Sequence, residues 1–88
     1  MKITGFITHG NFKKQFSKLT KEIQLEFKER IYIFLKQSSH ILLNNHPLHG
    51  DWNGYWSINI TGDVRAIYKI EGTIAILVAI GTHNQLYN

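Results

Sequence analysis

The sequence predicts an α+β fold: a small, mostly antiparallel β-sheet with two N-terminal helices packed on one face. Three observations predict it. From Phe12 to Leu35 the apolar residues recur at helical spacing. From Trp56 to Ile70 the apolar period falls to two. Ile74–Ile80, IAILVAI, is apolar throughout, as a strand covered on both faces would be.

Each element follows in order. Lys2–Thr8 (KITGFIT) has the β-branched content of a first strand. Asn11 is a candidate cap for a first helix whose stripe is Phe12, Phe16, Leu19 and Ile23, with Lys13, Lys14 and Lys18 solvated on other faces. Thr20 followed by Glu22 starts a second helix, striped by Ile23, Phe27, Ile31, Phe34 and Leu35. That stripe fades at Ser38–Ser39, and His40–Asn45 reads as a final turn stopped by a left-handed Asn45. After Pro47, Trp56, Ile58 and Ile60 point one way and Ser57, Asn59 and Thr61 the other. Thr61–Asp63 and Glu71–Thr73 are tight turns on either side of the strand that carries Val64, Ala66, Tyr68 and Ile70. The order is β-α-α-β-β-β. With the apolar set turned to the helices, Ser57, Asn59, Thr61, Asp63, Arg65 and Lys69 form a polar, net basic face beside the His46–His49 loop.

The chain has 88 residues, 43% of them apolar, so residues 1–88 read as one domain with a thin core. It lacks cysteine, which excludes disulfides and thiolate chemistry. No apolar run nears the ~20 residues that span a membrane, and the N-terminus lacks a signal-peptide core. A cytoplasmic protein with no membrane partner is expected. A formal net charge of +4 favours an acidic partner: RNA, DNA or an acidic protein.

The candidates for chemistry lie in the second half. His46 and His49 are spaced HxxH, but no HExxH helix pattern accompanies them, so no metal is expected. The plainest reading of His46 is an imidazole bonded to a backbone carbonyl. Asp63 is first a turn aspartate. Arg65 either pairs with Asp63 or clamps a phosphate with its planar fork. His83 lies just past the apolar strand, where side chains reach clefts. Trp52 and Trp56 read as packing residues, and Leu86 and Tyr87 can tuck the tail onto the core. Together, histidines, an arginine, an aspartate and a terminal tyrosine around one basic face suit RNA cleavage without a metal. A base takes the 2′-hydroxyl proton, a cation steadies the pentacovalent phosphate, and an acid protonates the leaving 5′-oxygen. Histidine as a residue type titrates near neutral pH and fits the proton roles.

The segments FKKQFSKL (12–19), HPLHGDWNGYWS (46–57), GDVRAIY (62–68) and GTHNQLY (81–87), in that order, resemble the RelE/YafQ group of bacterial type II toxins. The resemblance covers nearly the whole chain. It implies a RelE/ParE-like sheet flanked by helices. It implies a metal-independent mRNA endoribonuclease acting in the ribosomal A site, with no cofactor, and an antitoxin that wraps and silences it. Carried over by position, His46 matches the histidine of the HPL motif and Asp63 the YafQ-like aspartate after the turn. Arg65 matches the phosphate-binding arginine of RelE-like members, His83 the GTH histidine, and Tyr87 the aromatic residue near the C-terminus. The implied roles are His83 as general acid, His46 or Asp63 as general base, Arg65 for the phosphorane charge and Tyr87 for substrate placement. His49, Asn59 and Lys69 are expected to touch substrate. Asn59 stands where YafQ-like members often carry another histidine; an amide can hold a phosphate or a base but exchanges no proton. Two rivals share the fold: a ParE-like gyrase inhibitor, a class that generally lacks the histidine set, and a degenerate member that only binds antitoxin or RNA.

Overall fold

In the computed structural model, which describes residues 2–87, the first helix starts sooner than its sequence suggests. The first strand, β1, is Gly5–Thr8 and the helix α1 is Gly10–Ser17. His9 occupies the cap position without a side-chain bond, its carbonyl accepting from Lys13 N–H at 3.0 Å. The expectation that Asn11 caps α1 is therefore corrected. The helix begins almost directly after the strand, and Asn11 is inside it, its amide donating to the Val78 carbonyl at 3.4 Å. Thr20 does cap α2, Lys21–Lys36, its Oγ1 accepting from Ile23 N–H at 3.3 Å.

After α2 a short 3₁₀ turn, Ile41–Leu43, ends in a left-handed residue, as foreseen, but it is Asn44 (φ 44°) rather than Asn45. Asn45 is used differently. Its Nδ2 donates to the Ser38 carbonyl at 3.0 Å and its Oδ1 accepts from the Tyr68 hydroxyl at 2.7 Å, tying this turn to the sheet. The remaining elements are β2 (His46–Pro47), β3 (Trp56–Asn59), β4 (Val64–Glu71), β5 (Ile74–Thr82) and α3 (His83–Tyr87). A 3₁₀ turn, Gly50–Trp52, joins β2 to β3. The five-stranded sheet runs β1-β5-β4-β3-β2, with β1 parallel to β5 and every other pair antiparallel. The short β2 and α3 extend the predicted order.

The main core lies between the sheet and the pair α1–α2. Phe27, Ile31 and Phe34 from α2 meet Ile58, Val64, Ala66, Tyr68, Ala75, Leu77 and Ile80 from the strands. The rings of Phe34 and Tyr68, both fully buried, meet edge to face at 5.0 Å. A β-bulge at Val78 shifts the phase of β5: Ile67 pairs with Ala79, yet its neighbour Tyr68 pairs with Leu77. Leu77 and Ile80 thereby both face the helices, while Ala79 turns to the opposite side.

That opposite side corrects a second expectation. The face expected to be polar and partly covered is apolar and covered across its middle. Ile67 and Ala79 lie under Leu86 of α3 and under Leu48, Trp52 and Tyr55 of the loop before β3, and Ser57 is fully buried. β3 and β4 alternate as their sequence predicts, but the loop and the tail fold back over the middle of this face. Only the ends of that face keep polar groups in contact with solvent. Among the described residues no helix is long and apolar enough to cross a membrane.

Burial pushes the Tyr68 hydroxyl up from 10.0 to about 12, with the Asn45 bond opposing in part. The folded state thus favours the neutral phenol. Its contribution is whole below pH 10 and fades as pH rises from 10 towards 12, where the unfolded chain ionises first. Tyr68→Phe should cost about 1–2 kcal/mol at neutral pH by leaving Asn45 Oδ1 unpaired. In denaturant titrations at successive pH values, the gap between the variant and the parent should narrow across that alkaline window.

Candidate active site

The ladder between β4 and β5 sets Val64 opposite Thr82. The turn before β4 therefore meets the start of α3. Thr61 builds that turn, its Oγ1 accepting from Asp63 N–H at 3.2 Å and from Val64 N–H at 3.0 Å. Asp63, Arg65 and His83, with Gly62, Thr82 and Asn84, line an open hollow of about 330 Å³. Larger hollows on the helix side, such as the one lined by Lys2, Phe34 and Ser39, carry no histidine or carboxylate.

Arg65 is half-buried, and its Nη1 donates to the Gly62 carbonyl at 3.2 Å. It makes no ion pair with Asp63; among the described residues the ion pair is Lys69–Glu71, at 3.5 Å. A carbonyl satisfies one N–H without neutralising the charge, so the rest of the fork keeps its pull on an anion.

Short as it is, α3 is firmly held. Thr82 Oγ1 accepts from Gln85 N–H at 3.3 Å, and Gln85 Oε1 accepts from Thr82 N–H at 2.8 Å. This reciprocal capping box was present in the sequence as Thr82-x-x-Gln85, and sequence reading passed over it. Gly81 makes room for it: a Cβ there would lie 2.8 Å from Gln85 Oε1. At the far end, Trp52 Nε1 donates to the Leu86 carbonyl at 3.2 Å. Between these anchors His83 and Tyr87 sit one turn apart with ring centroids 4.7 Å apart.

The other candidates are spread out. Tyr87 and His49 line a second, smaller hollow together with Asp51, Trp52 and Leu86. Asn59 is the cross-strand neighbour of Arg65, and its Oδ1 is buried without a hydrogen-bond partner among the described residues, as is Ser57 Oγ. His46 pairs with Ser57 on β3, which pairs with Ile67 on β4. It thus shares the face of Arg65 but lies two strands across and two residues along, roughly 12 Å away, outside the hollow's rim. Its Nδ1 donates to the Asn44 carbonyl at 2.7 Å, the plain role expected of it. Lys69 is four residues along β4 from Arg65, roughly 13 Å, and is engaged with Glu71. Among the described residues no three histidines or carboxylates converge into a metal-binding set.

The family described as the bacterial toxin of the type II toxin-antitoxin system, YafQ, matches residues 5–88. The chain belongs to this family. Solved structures of related toxins share its fold. YafQ from E. coli strain BL21(DE3) superposes with a TM-score of 0.79 at 21% identity, covering 94% of this chain and 97% of that one. The toxin–antitoxin complex RelBE2 from Mycobacterium tuberculosis gives 0.76 at 15% identity, covering 92% and 99%. A YoeB/ParE toxin from Agrobacterium tumefaciens gives 0.72 at 20%, covering 94% and 99%. No curated protein matches the chain.

Within this YafQ-family chain, His83 depends on the capping box for its place. Gln85→Ala should loosen α3 by about 1 kcal/mol and raise amide exchange of residues 83–87 roughly fivefold, with little change in overall melting. Gln85→Glu, which can form the same box, should restore slow exchange. Equal exchange in the parent and the alanine variant would show that the box holds nothing.

Proposed function

We propose that this toxin is an endoribonuclease that cuts mRNA without a metal ion, in the ribosomal A site, and that a cognate antitoxin silences it in the cytoplasm. The observation that carries this reading is the single hollow shared by Asp63, Arg65 and His83. A carboxylate, a guanidinium and an imidazole are the three kinds of group that 2′-hydroxyl attack on a phosphodiester calls for. Asp63 takes the proton as the 2′-oxygen attacks phosphorus. Arg65, which pairs with no carboxylate among the described residues, steadies the added charge on the pentacovalent phosphate. His83 protonates the departing 5′-oxygen, leaving a 2′,3′-cyclic phosphate. The Tyr87 ring, packed at a tilt against His83, positions the substrate. His46, Asn59 and His49 contact flanking nucleotides, and Lys69 reaches only a more distant part of the strand.

The antitoxin partner is supported by family membership and by the RelBE2 structure, which is of a toxin–antitoxin complex. The net charge of +4 suits both an RNA backbone and an acidic protein.

The test is 5′-end mapping of a defined mRNA in a reconstituted translation reaction, with a parallel lane lacking ribosomes. New ends at codon boundaries are expected only with ribosomes. His83→Gln should keep the fold and slow cutting by about 10²-fold or more, and Arg65→Ala should lose about as much. Cuts in both lanes would replace the ribosomal step with a free ribonuclease. No cuts by the folded protein would turn the reading to gyrase inhibition, checked by DNA supercoiling, or to binding alone.

A further inference from the structure

The second hollow, about 220 Å³, is lined by His49, Asp51, Trp52, Leu86 and Tyr87. It adjoins the first through the His83–Tyr87 ring contact, since His83 lines one and Tyr87 the other. Two aromatic rings and an imidazole surround it, and bases of every kind stack on such surfaces. Asp51 is the unexpected member. A carboxylate beside an RNA path repels phosphates, so it is favourable there only where it meets hydrogen-bond donors. Its position is well defined. It sits in the Gly50–Trp52 turn, which needs the left-handed Gly50 (φ 67°) and is closed by Asn53 N–H on the Gly50 carbonyl at 3.0 Å. The next residue, Trp52, is bonded to α3.

We propose that this hollow is a nucleobase subsite and that Asp51 selects guanine in it. The inference rests on the endoribonuclease reading and names the base beside the scissile phosphate. Guanine presents two adjacent donors, N1–H and the 2-amino group, which match the two oxygens of one carboxylate. Adenine and cytosine each set one amino group beside a ring nitrogen whose lone pair repels a carboxylate. Uracil flanks its one N–H with two carbonyls. His83 and Tyr87 are one helical turn apart, roughly 6 Å, comparable to a single nucleotide step, so a phosphate at Arg65 and a base at Tyr87 belong to the same short stretch of strand.

The experiment follows the two indole N–H resonances of the full, unaltered chain labelled at tryptophan, with Trp52 reporting the hollow and Trp56, on the helix side of the sheet, serving as control. The probes are GMP, IMP, AMP, CMP and UMP. GMP should shift the Trp52 signal in a saturable way, with an affinity about fivefold or more above AMP, CMP and UMP. IMP, which lacks the 2-amino group, should fall between. Asp51→Asn should remove the preference for GMP. Equal response to all nucleotides, no response to any, or an unchanged preference in Asp51→Asn overturns the proposal. The binding readout needs no cleavage. Active cutting without guanine preference at Trp52 removes the subsite alone, and guanine binding without cutting removes the ribonuclease reading alone.

Discussion

The antiparallel pairing of β4 with β5 sets Val64 opposite Thr82, and the placement of every group in the candidate site follows from that register. The turn that ends in Asp63 runs into one strand, and the helix that begins with His83 leaves the other. A slip of one residue would turn Arg65 towards the helices and bring Ala66 to the hollow. The register is protected because Ala66, Tyr68, Leu77 and Ile80 are all buried against α1 and α2, so a slip would expose the main core. The site is therefore specified by the hydrophobic side of the same ladder that carries it.

Legibility in the sequence followed the length of each pattern. The stripe of α2 spans four turns, and its Thr20 cap could be read outright. The alternation of Val64–Ile70 gave both faces of β4. Ile74–Ile80 did not give its faces, because a run that is apolar at every position carries no phase, and the bulge at Val78 changes the phase midway. The two-residue β2 and the five-residue α3 are too short for any period to show. Asn44 and Asn45 are adjacent and chemically identical, so only three-dimensional context decides which one turns left-handed. Within the candidate site, Asp63, Arg65 and His83 could be named from sequence, and the structure brings them to one hollow. That Arg65 bonds to a carbonyl rather than to Asp63, and that Lys69 is occupied by Glu71, depends on side-chain geometry that spacing does not contain.

The comparison with E. coli YafQ, at 21% identity over 94% of this chain, fits that account. The fold is set by which positions are apolar and where the turns fall, and many side chains satisfy both demands. Identity is free to drift wherever volume and period are kept.

A sheet with two edges ordinarily exposes backbone N–H and C=O groups to any passing strand. Here β2 is two residues long and includes Pro47, which has no N–H to offer, and β1 is four residues long. Beyond the end of β1, side chains of α1 take up the backbone of β5: Gln15 Oε1 accepts from Ile80 N–H at 2.9 Å, and the Asn11 amide donates to the Val78 carbonyl at 3.4 Å. The long apolar strand, the segment most apt to template stacking between copies, thus has its flank closed by β1 along Ile74–Leu77 and by amide side chains beyond it. That closure comes from glutamine and asparagine on a helix that also builds the core.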